Sequence, residues 1–454
     1  MRSKTSCLAW GMILSFSAGA VFGQTKLELV ERLDVAPVWS GCPVGFAMLT
    51  HSNRQFLAYY NAARTMTLAQ RELNTNVWTF VPLPSKLGWD SHNYVTFALD
   101  ETERLHVSGN MHCVPLVYFR GTQPLDIRSM QPIHRMTGDR EAKVTYPRFM
   151  KGPDGALLFN YRDGRSGNGT TLWNRYDAAS QTWTRLMDAP LFDGTGTCNA
   201  YPCGPVLGKD GYYHLCWVWR NTPACETCHD ISYIRSRDLK HWENAAGRPV
   251  ALPISPGADV VVDAVPVKGG LINPCQAIGF DTRGRVIISY TKYDAAGNTQ
   301  LMNARFEGGA WKTHQASDWN YRWDFSGGGS IAAEISVGEV EVQDGVLVQS
   351  YSHAKLGGGR WRLDEATLKL VGKVPSRYAW PAGVGRKELN VPGMRVHRLN
   401  DSAADPVTEV SPDGFIYRAC WESLSANRDR PQPGGVPPPS RLRLFKLRIV
   451  PAAK

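Results

Sequence analysis

Phe149-Met150-Lys151-Gly152-Pro153-Asp154-Gly155-Ala156-Leu157-Leu158-Phe159-Asn160-Tyr161 reads as two short strands joined by a tight turn. An apolar run enters a polar turn ending in Asp-Gly, and a second run leaves it toward an aromatic, which is the local signature of a β-hairpin. The same unit returns at Ser52-Asn53-Arg54, Asp100-Glu101-Thr102, Lys209-Asp210-Gly211, Asp281-Thr282-Arg283-Gly284, Gln343-Asp344-Gly345 and Pro412-Asp413-Gly414. Spacings of roughly 45 to 70 residues fit one four-stranded blade per unit and argue against a sandwich or a doubly wound sheet. The seven units predict an all-β chain folded as a seven-bladed β-propeller.

A second register supports that count. After most of the hairpins comes a short strand opened by Trp and a polar or basic residue: Trp78-Thr79, Trp183-Thr184, Trp242-Glu243, Trp311-Lys312 and Trp361-Arg362. Helical periodicity is scarce, and Gly, Pro, Asn and Asp punctuate the whole chain. No linker or low-complexity tract divides it, and Pro431 to Pro439 reads as a surface loop before the last strand. Residues 24–454 are therefore expected to form one domain, with the strand Leu442 to Val450 pairing near Leu27 to Leu33 to close the ring.

Residues 1–23 read as a secretory signal: Arg2 and Lys4, an apolar run from Leu8 to Phe22, and small residues before Gly23-Gln24. That run is too short to span a membrane, so export to a periplasmic or extracellular space is expected, with no membrane span. Removing Cys7 leaves nine of the ten cysteines, an odd number. Cys225-Glu226-Thr227-Cys228-His229 lacks the second matching pair that a zinc site needs. Loop disulfides or free thiols explain the cysteines better. The net charge is +10, and about +8 without Arg2 and Lys4, which favours an acidic partner. Nucleic acid is not expected, because no Lys/Arg run with interleaved aromatics occurs. An acidic polysaccharide suits the Trp and Tyr content, and no organic cofactor is expected.

Residues equidistant from a hairpin turn face each other. His92 and His112 are symmetric about position 102, and the same operation pairs Tyr146 with Arg162, Tyr201 with Arg220, Gln276 with Lys292, and Glu334 with His353. Each pair lies at the root of its hairpin, and in a propeller the roots share one rim. A lone His at a strand end is more often a structural hydrogen-bonder, and an Arg after an aromatic strand usually makes a salt bridge. Convergence of several blades on polar roots is harder to explain structurally.

Such a rim suits β-elimination next to a uronate carboxylate. Arg or Lys neutralises the carboxylate, a His or tyrosinate removes the proton, and a His or Tyr protonates the departing oxygen. Hydrolysis ordinarily needs paired carboxylates, and the rim pairs supply only Glu334. Asp90 has no evident partner in sequence, Asp163 is expected to orient Arg162, and Asp230 to orient His229.

Trp89-Asp90-Ser91-His92-Asn93-Tyr94-Val95, Gly109-Asn110-Met111-His112-Cys113, Tyr146-Pro147-Arg148-Phe149, Tyr161-Arg162-Asp163-Gly164 and Trp217-Val218-Trp219-Arg220 resemble a BNR-repeat-containing family of seven-bladed propellers. That family includes L-rhamnose-α-1,4-D-glucuronate lyases and related α-L-rhamnosidases, with ulvan lyases as more distant relatives. The resemblance covers nearly all of the mature chain. It implies His112 as acid/base with His92 beside it, and Arg162 and Arg220 as ligands of the glucuronate; the rim pairs add Tyr146 as a catalytic candidate and Tyr201, Gln276, Lys292 and His353 as candidate substrate-binding residues. It further implies a plant-type acidic glycan with rhamnosyl-glucuronate side chains, and a calcium in the central channel whose ligands the sequence does not identify. Where the rhamnosidase branch relies on a first-blade His, this chain has Cys42; where many relatives have a further His, it has Gln276. The first departure argues against hydrolysis. The second leaves glycan binding without efficient cleavage as an alternative to the lyase.

Overall fold

A computed structural model describes residues 24–406 and 408–450. The signal sequence expected over residues 1–23 lies outside them. Seven β-sheets form the seven blades, and no helix among the described residues is long and apolar enough to cross a membrane. In chain order the blades begin at Ala47–His51, Val95–Leu99, Val144–Lys151, Asn199–Leu207, Gln276–Phe280, Ile335–Gln343 and Arg395–Asn400.

The recurrent Asp has a physical role in its turn. Asp100 Oδ1 accepts from the backbone N–H of Thr102 at 2.8 Å and of Arg104 at 3.0 Å, and Asp281 Oδ1 does the same for Arg283 and Arg285, both at 2.9 Å. These bonds supply acceptors that a tight turn cannot find in the backbone. The second oxygen of Asp100 reaches His106 Nε2 at 3.2 Å, whose Nδ1 meets the Tyr118 hydroxyl at 2.7 Å. Asp210, His214 and Tyr233 repeat that chain of contacts two blades on. In the seventh blade the Pro412-Asp413-Gly414 turn closes a longer connection between Arg395–Asn400 and Ile416–Ser423.

Closure follows the expected pairing. The N-terminal strand Thr25–Val38 lies antiparallel to Ser440–Ile449, with Leu27 opposite Ile449 and Leu33 opposite Leu444. The first strand in sequence thus becomes part of the last blade, and one apolar cluster runs from Tyr417 and Trp421 through Phe56 and Tyr59 to Phe97 and Phe119. Four of the Trp-opened segments belong to the fourth strand of a blade, whereas Trp361 sits in the third strand, Gly359–Leu363.

Root register departs from simple turn symmetry where a bulge intervenes or the turn closes off-centre. Arg162 stands opposite Thr145, not Tyr146, because the ladder shifts between Thr145 and Arg148. Arg220 faces Asn199, not Tyr201, after a shift between Cys203 and Val206. Gln276 faces Tyr290, not Lys292, since the Asp281 turn closes from Phe280 to Val286. His353 faces Ile335, not Glu334, after a shift between Val337 and Val340. An extra residue in one strand moves every pairing beyond it.

All nine cysteines of the described residues are free thiols. Cys228 Sγ donates to Asn273 Oδ1, while His229 contacts Asp230 and Asn221. These side chains do not converge as metal ligands.

Candidate active site

The second blade pairs in unbroken register from Leu99 opposite Leu105 to Val95 opposite Gly109, and the ladder stops there. Gly109 permits the close crossing at its end, because a Cβ would stand 2.6 Å from Tyr94 O and 2.8 Å from Val95 Cα. Beyond it the chain diverges: His112–Val114 pairs with Val144 and Thr145 of the third blade. His92 and His112 nevertheless meet, with ring centroids 4.3 Å apart.

Asp90 brings them together. Its Oδ1 accepts from His92 Nδ1 at 2.6 Å and its Oδ2 from His112 Nδ1 at 2.5 Å. A carboxylate shared in this way requires a proton on both Nδ1 atoms and sets the orientation of both rings. Burial would raise the Asp90 pKa, but hydrogen bonds from His112 and His92 outweigh it and hold the carboxyl below its usual range.

His92, Tyr146, Tyr201, Arg220 and Gln276 line a cavity of about 430 Å³, joined by Tyr94, Arg148 and Ser330. His112 adjoins it beside His92, and Arg162 lies against its tyrosines. The Arg162 guanidinium carbon is 5.0 Å from the Tyr146 ring centroid and 6.0 Å from that of Tyr201. Its Nη2 donates to Thr145 Oγ1 at 3.0 Å. Gly169 leaves room for this side chain, since a Cβ there would stand 3.0 Å from Arg162 Cδ. Arg220 donates to Thr222 O and Asn273 Oδ1, and its guanidinium lies 5.5 Å from the Tyr201 ring.

Both arginines are buried, at 3% and 8% exposure, yet their partners are hydroxyl, carbonyl, amide and thiol groups rather than carboxylates. A desolvated cation without a counter-charge is costly unless an anion arrives with the ligand. Asp163, expected to orient Arg162, instead pairs with Arg140 Nε at 3.0 Å. His229 Nδ1 and Asp230 Oδ2 are 3.0 Å apart. Arg162 Nε and Gln276 Oε1 are among the polar atoms buried without a partner. Gln276 Nε2 donates to Tyr201 O at 2.8 Å, so the amide presents its oxygen as a ready acceptor. Burial pushes the Tyr146 hydroxyl well above its ordinary pKa, keeping it a phenol.

Two expected binding residues are placed outside this group. Lys292 Nζ donates to Asp263 Oδ2 at 2.5 Å. His353 accepts at Nδ1 from the backbone N–H groups of Lys355 and Leu356, both at 3.1 Å, and packs edge-on against Trp319 and Tyr321. A turn cap of this kind explains a strand-end His without chemistry. Glu334 is hydrogen-bonded by Tyr321.

A residue with no sequence signal completes the site. Asp429, from the loop before the last strand, places Oδ1 at 3.6 Å from His92 Nδ1, and Ser330 Oγ donates to that oxygen at 2.6 Å. The ligand atoms of Asp90, His92, His112 and Asp429 all lie within 4.8 Å of one another. Ligands about 2.0 Å from a tetrahedral zinc stand about 3.3 Å apart, whereas the Asp90 contacts are 2.5 and 2.6 Å, the length of charge-assisted hydrogen bonds. Calcium takes six to eight oxygen ligands, and a set with two imidazole nitrogens does not fit it. A larger cleft of about 540 Å³ between blades 6 and 7 contains arginines already paired with carboxylates, Arg360 with Glu341 and Arg418 with Glu409. The histidine-lined cavity is therefore the candidate site.

Residues 54–319 match a family described as BNR repeat-containing family member. Shorter segments are similar to ulvan lyases: 39% identity over 74 residues with a short isoform from Alteromonas sp. (strain LOR), covering 15% of this chain and 14% of the relative. A long isoform from Alteromonas sp. is 43% identical over 134 residues, 26% of this chain and 13% of the relative. The matched segments thus span only a small part of these relatives. Among solved structures, polysaccharide lyase Uly1 superposes with a TM-score of 0.60 at 15% identity, over 92% of this chain and 99% of that one. A polysaccharide lyase described as PL25 ulvan lyase gives 0.60 at 12% identity, over 87% and 94%. At these identities the structural likeness is one of fold.

Proposed function

The chain belongs to the BNR repeat-containing family, and from that premise we propose that it is a polysaccharide lyase cleaving uronate-containing glycan by β-elimination. One observation carries this reading: two histidines sharing Asp90 face two buried arginines that have no carboxylate of their own. The arginines bind the uronate carboxylate and stabilise the charge that develops there. His112 Nε2 accepts the C5 proton, the C5–H electron pair becomes the C4–C5 double bond, and the C4–O4 bond breaks. His92 or the Tyr146 phenol delivers a proton to O4. No nucleophile and no water enter the bond change.

Hydrolysis is less well supported. Asp90 and Asp429 are both held below the usual carboxylate range, as histidine hydrogen bonds override the effect of burial. Neither is free to act as a carboxylic acid in the paired mechanism. Cys42, at the position of the rhamnosidase histidine, is a buried thiol contacted by Trp39 Nε1 at 3.3 Å, and burial pushes it up to about 11.

The finer assignment is an exported enzyme acting on terminal L-rhamnose-α-1,4-D-glucuronate ends of plant-type glycan. The export reading rests on residues 1–23 and the linkage on the sequence motifs. Incubation with gum arabic and with ulvan tests both levels. Short-wavelength ultraviolet absorbance from an unsaturated uronate, stronger on gum arabic, is the expected result. Absorbance on ulvan alone keeps the lyase and moves the substrate, and glycan binding with no cleavage on either leaves a binding propeller.

A further inference from the structure

We propose that Asp429 is a positioning residue that, with Asp90, holds His92 as the imidazolium and so gives the two histidines different roles, His92 as proton donor and His112 as proton acceptor. The division of roles rests on the elimination reading; the effect of Asp429 on His92 does not.

Asp90 alone treats the two rings alike, meeting each at Nδ1. The symmetry is broken by residues outside the second blade. Asp429 approaches only His92, at 3.6 Å, and Ser330 fills the gap: its Oγ lies 3.3 Å from His92 Nδ1 and donates to Asp429 Oδ1 at 2.6 Å. The Ser330 backbone N–H donates to Asp429 Oδ2 at 3.2 Å, and Ser91 Oγ meets Ser330 Oγ at 2.5 Å. Segments from three distant parts of the chain thus converge on one imidazole.

The Asp429 side chain is only 18% exposed, and among the described residues its ion-pair partner is His92 alone. Two largely desolvated carboxylates on one ring favour its charged form. The titratable groups facing His92 are Asp90, Asp429, His112 and Tyr146, with the Cys42 thiol adjoining the carboxylates. Among the described residues no Lys or Arg pairs with Asp90 or Asp429 to oppose the effect. Burial would lower the His92 pKa, but the contacts and negative charge of Asp429 and Asp90 outweigh it and push it up to about 9.

The test is a nitrogen-15 NMR titration of the histidines in the full mature chain without substrate, with His92 assigned by its loss in His92→Gln. Asp429→Asn is expected to lower the His92 midpoint by about one pH unit or more, and Asp429→Glu to restore most of it. Should Asp429→Asn fold poorly, Ser330→Ala is expected to give a smaller shift of the same sign. An unchanged His92 midpoint in the folded variants overturns the proposal. In the pH profile of kcat/KM, loss of imidazolium at lower pH is expected to move the alkaline limb of Asp429→Asn acidward. An NMR shift with an unmoved limb overturns the donor role of His92. Absence of turnover by the unaltered protein refutes the elimination reading and leaves the titration result standing.

Discussion

Arg162 lies over the ring of Tyr146, 5.0 Å from its centroid, although strand pairing places Thr145, not Tyr146, directly opposite it. The bulge that breaks the register creates the contact: Tyr146 takes a left-handed backbone with φ of 58°, a conformation uncommon outside glycine. The guanidinium gains a cation–π partner while its remaining donors stay available to an anion.

Replacing Arg162 or Arg220 by Ala is therefore expected to weaken binding of uronate oligosaccharide by about 2 kcal/mol, roughly thirtyfold. Calorimetry reads the affinity and thermal unfolding reads the fold. Because neither guanidinium balances a buried carboxylate, the midpoint of unfolding should hold or rise. A large drop in stability with unchanged affinity would assign the arginines to structure.

Tyr146→Phe removes the phenol proton and keeps the ring under Arg162. With His92 as the donor, turnover is expected to fall only a few fold, with substrate affinity likewise within a few fold. A loss of about a hundredfold or more confined to turnover would move the donor role to Tyr146, and a loss confined to affinity would make the hydroxyl a binding group.

His92 also predicts a pH dependence of stability. Its pKa rises on folding from 6.5 to about 9, so the fold binds this proton more tightly than the unfolded chain does. The resulting stabilisation is complete below about pH 6.5 and is lost as pH rises through about 9, amounting to about 3 kcal/mol. Denaturant unfolding of the natural protein and of His92→Gln should diverge at low pH and converge above about pH 9. Parallel curves across that range would remove the charge from His92.

The fold was legible because it depends on local, repeated chemistry. Five of the Asp-containing turns carry their own acceptor for a backbone N–H, and the closing strands are marked by apolar runs at the two ends of the chain. The pairing of His92 with His112 was legible for a related reason, since the second blade keeps its register from Leu105 to Gly109. Tyr146, Tyr201, Arg220 and Gln276 reach one cavity even though bulges or turn length displace their strand partners, because the roots share a rim. Lys292 and His353 occupy similar root positions but meet Asp263 and a turn backbone, contacts that symmetry about a turn does not reveal. Asp429 was beyond reach for a different reason. It lies in a Pro/Gly-rich loop hundreds of residues from His92 in sequence, and only ring closure brings them together.

The central claim, elimination with His112 as proton acceptor, is tested most directly by the mass of the uronate end left after cleavage by the natural protein, His112→Ala and Cys42→Ala. The account predicts an end lighter by one water than the hydrolysis product, formed by the natural protein and by Cys42→Ala at similar rates. His112→Ala should be slower by about a hundredfold to ten-thousandfold. A uronate end carrying the full mass of a 4-hydroxyl, or cleavage lost in Cys42→Ala and kept in His112→Ala, would contradict it.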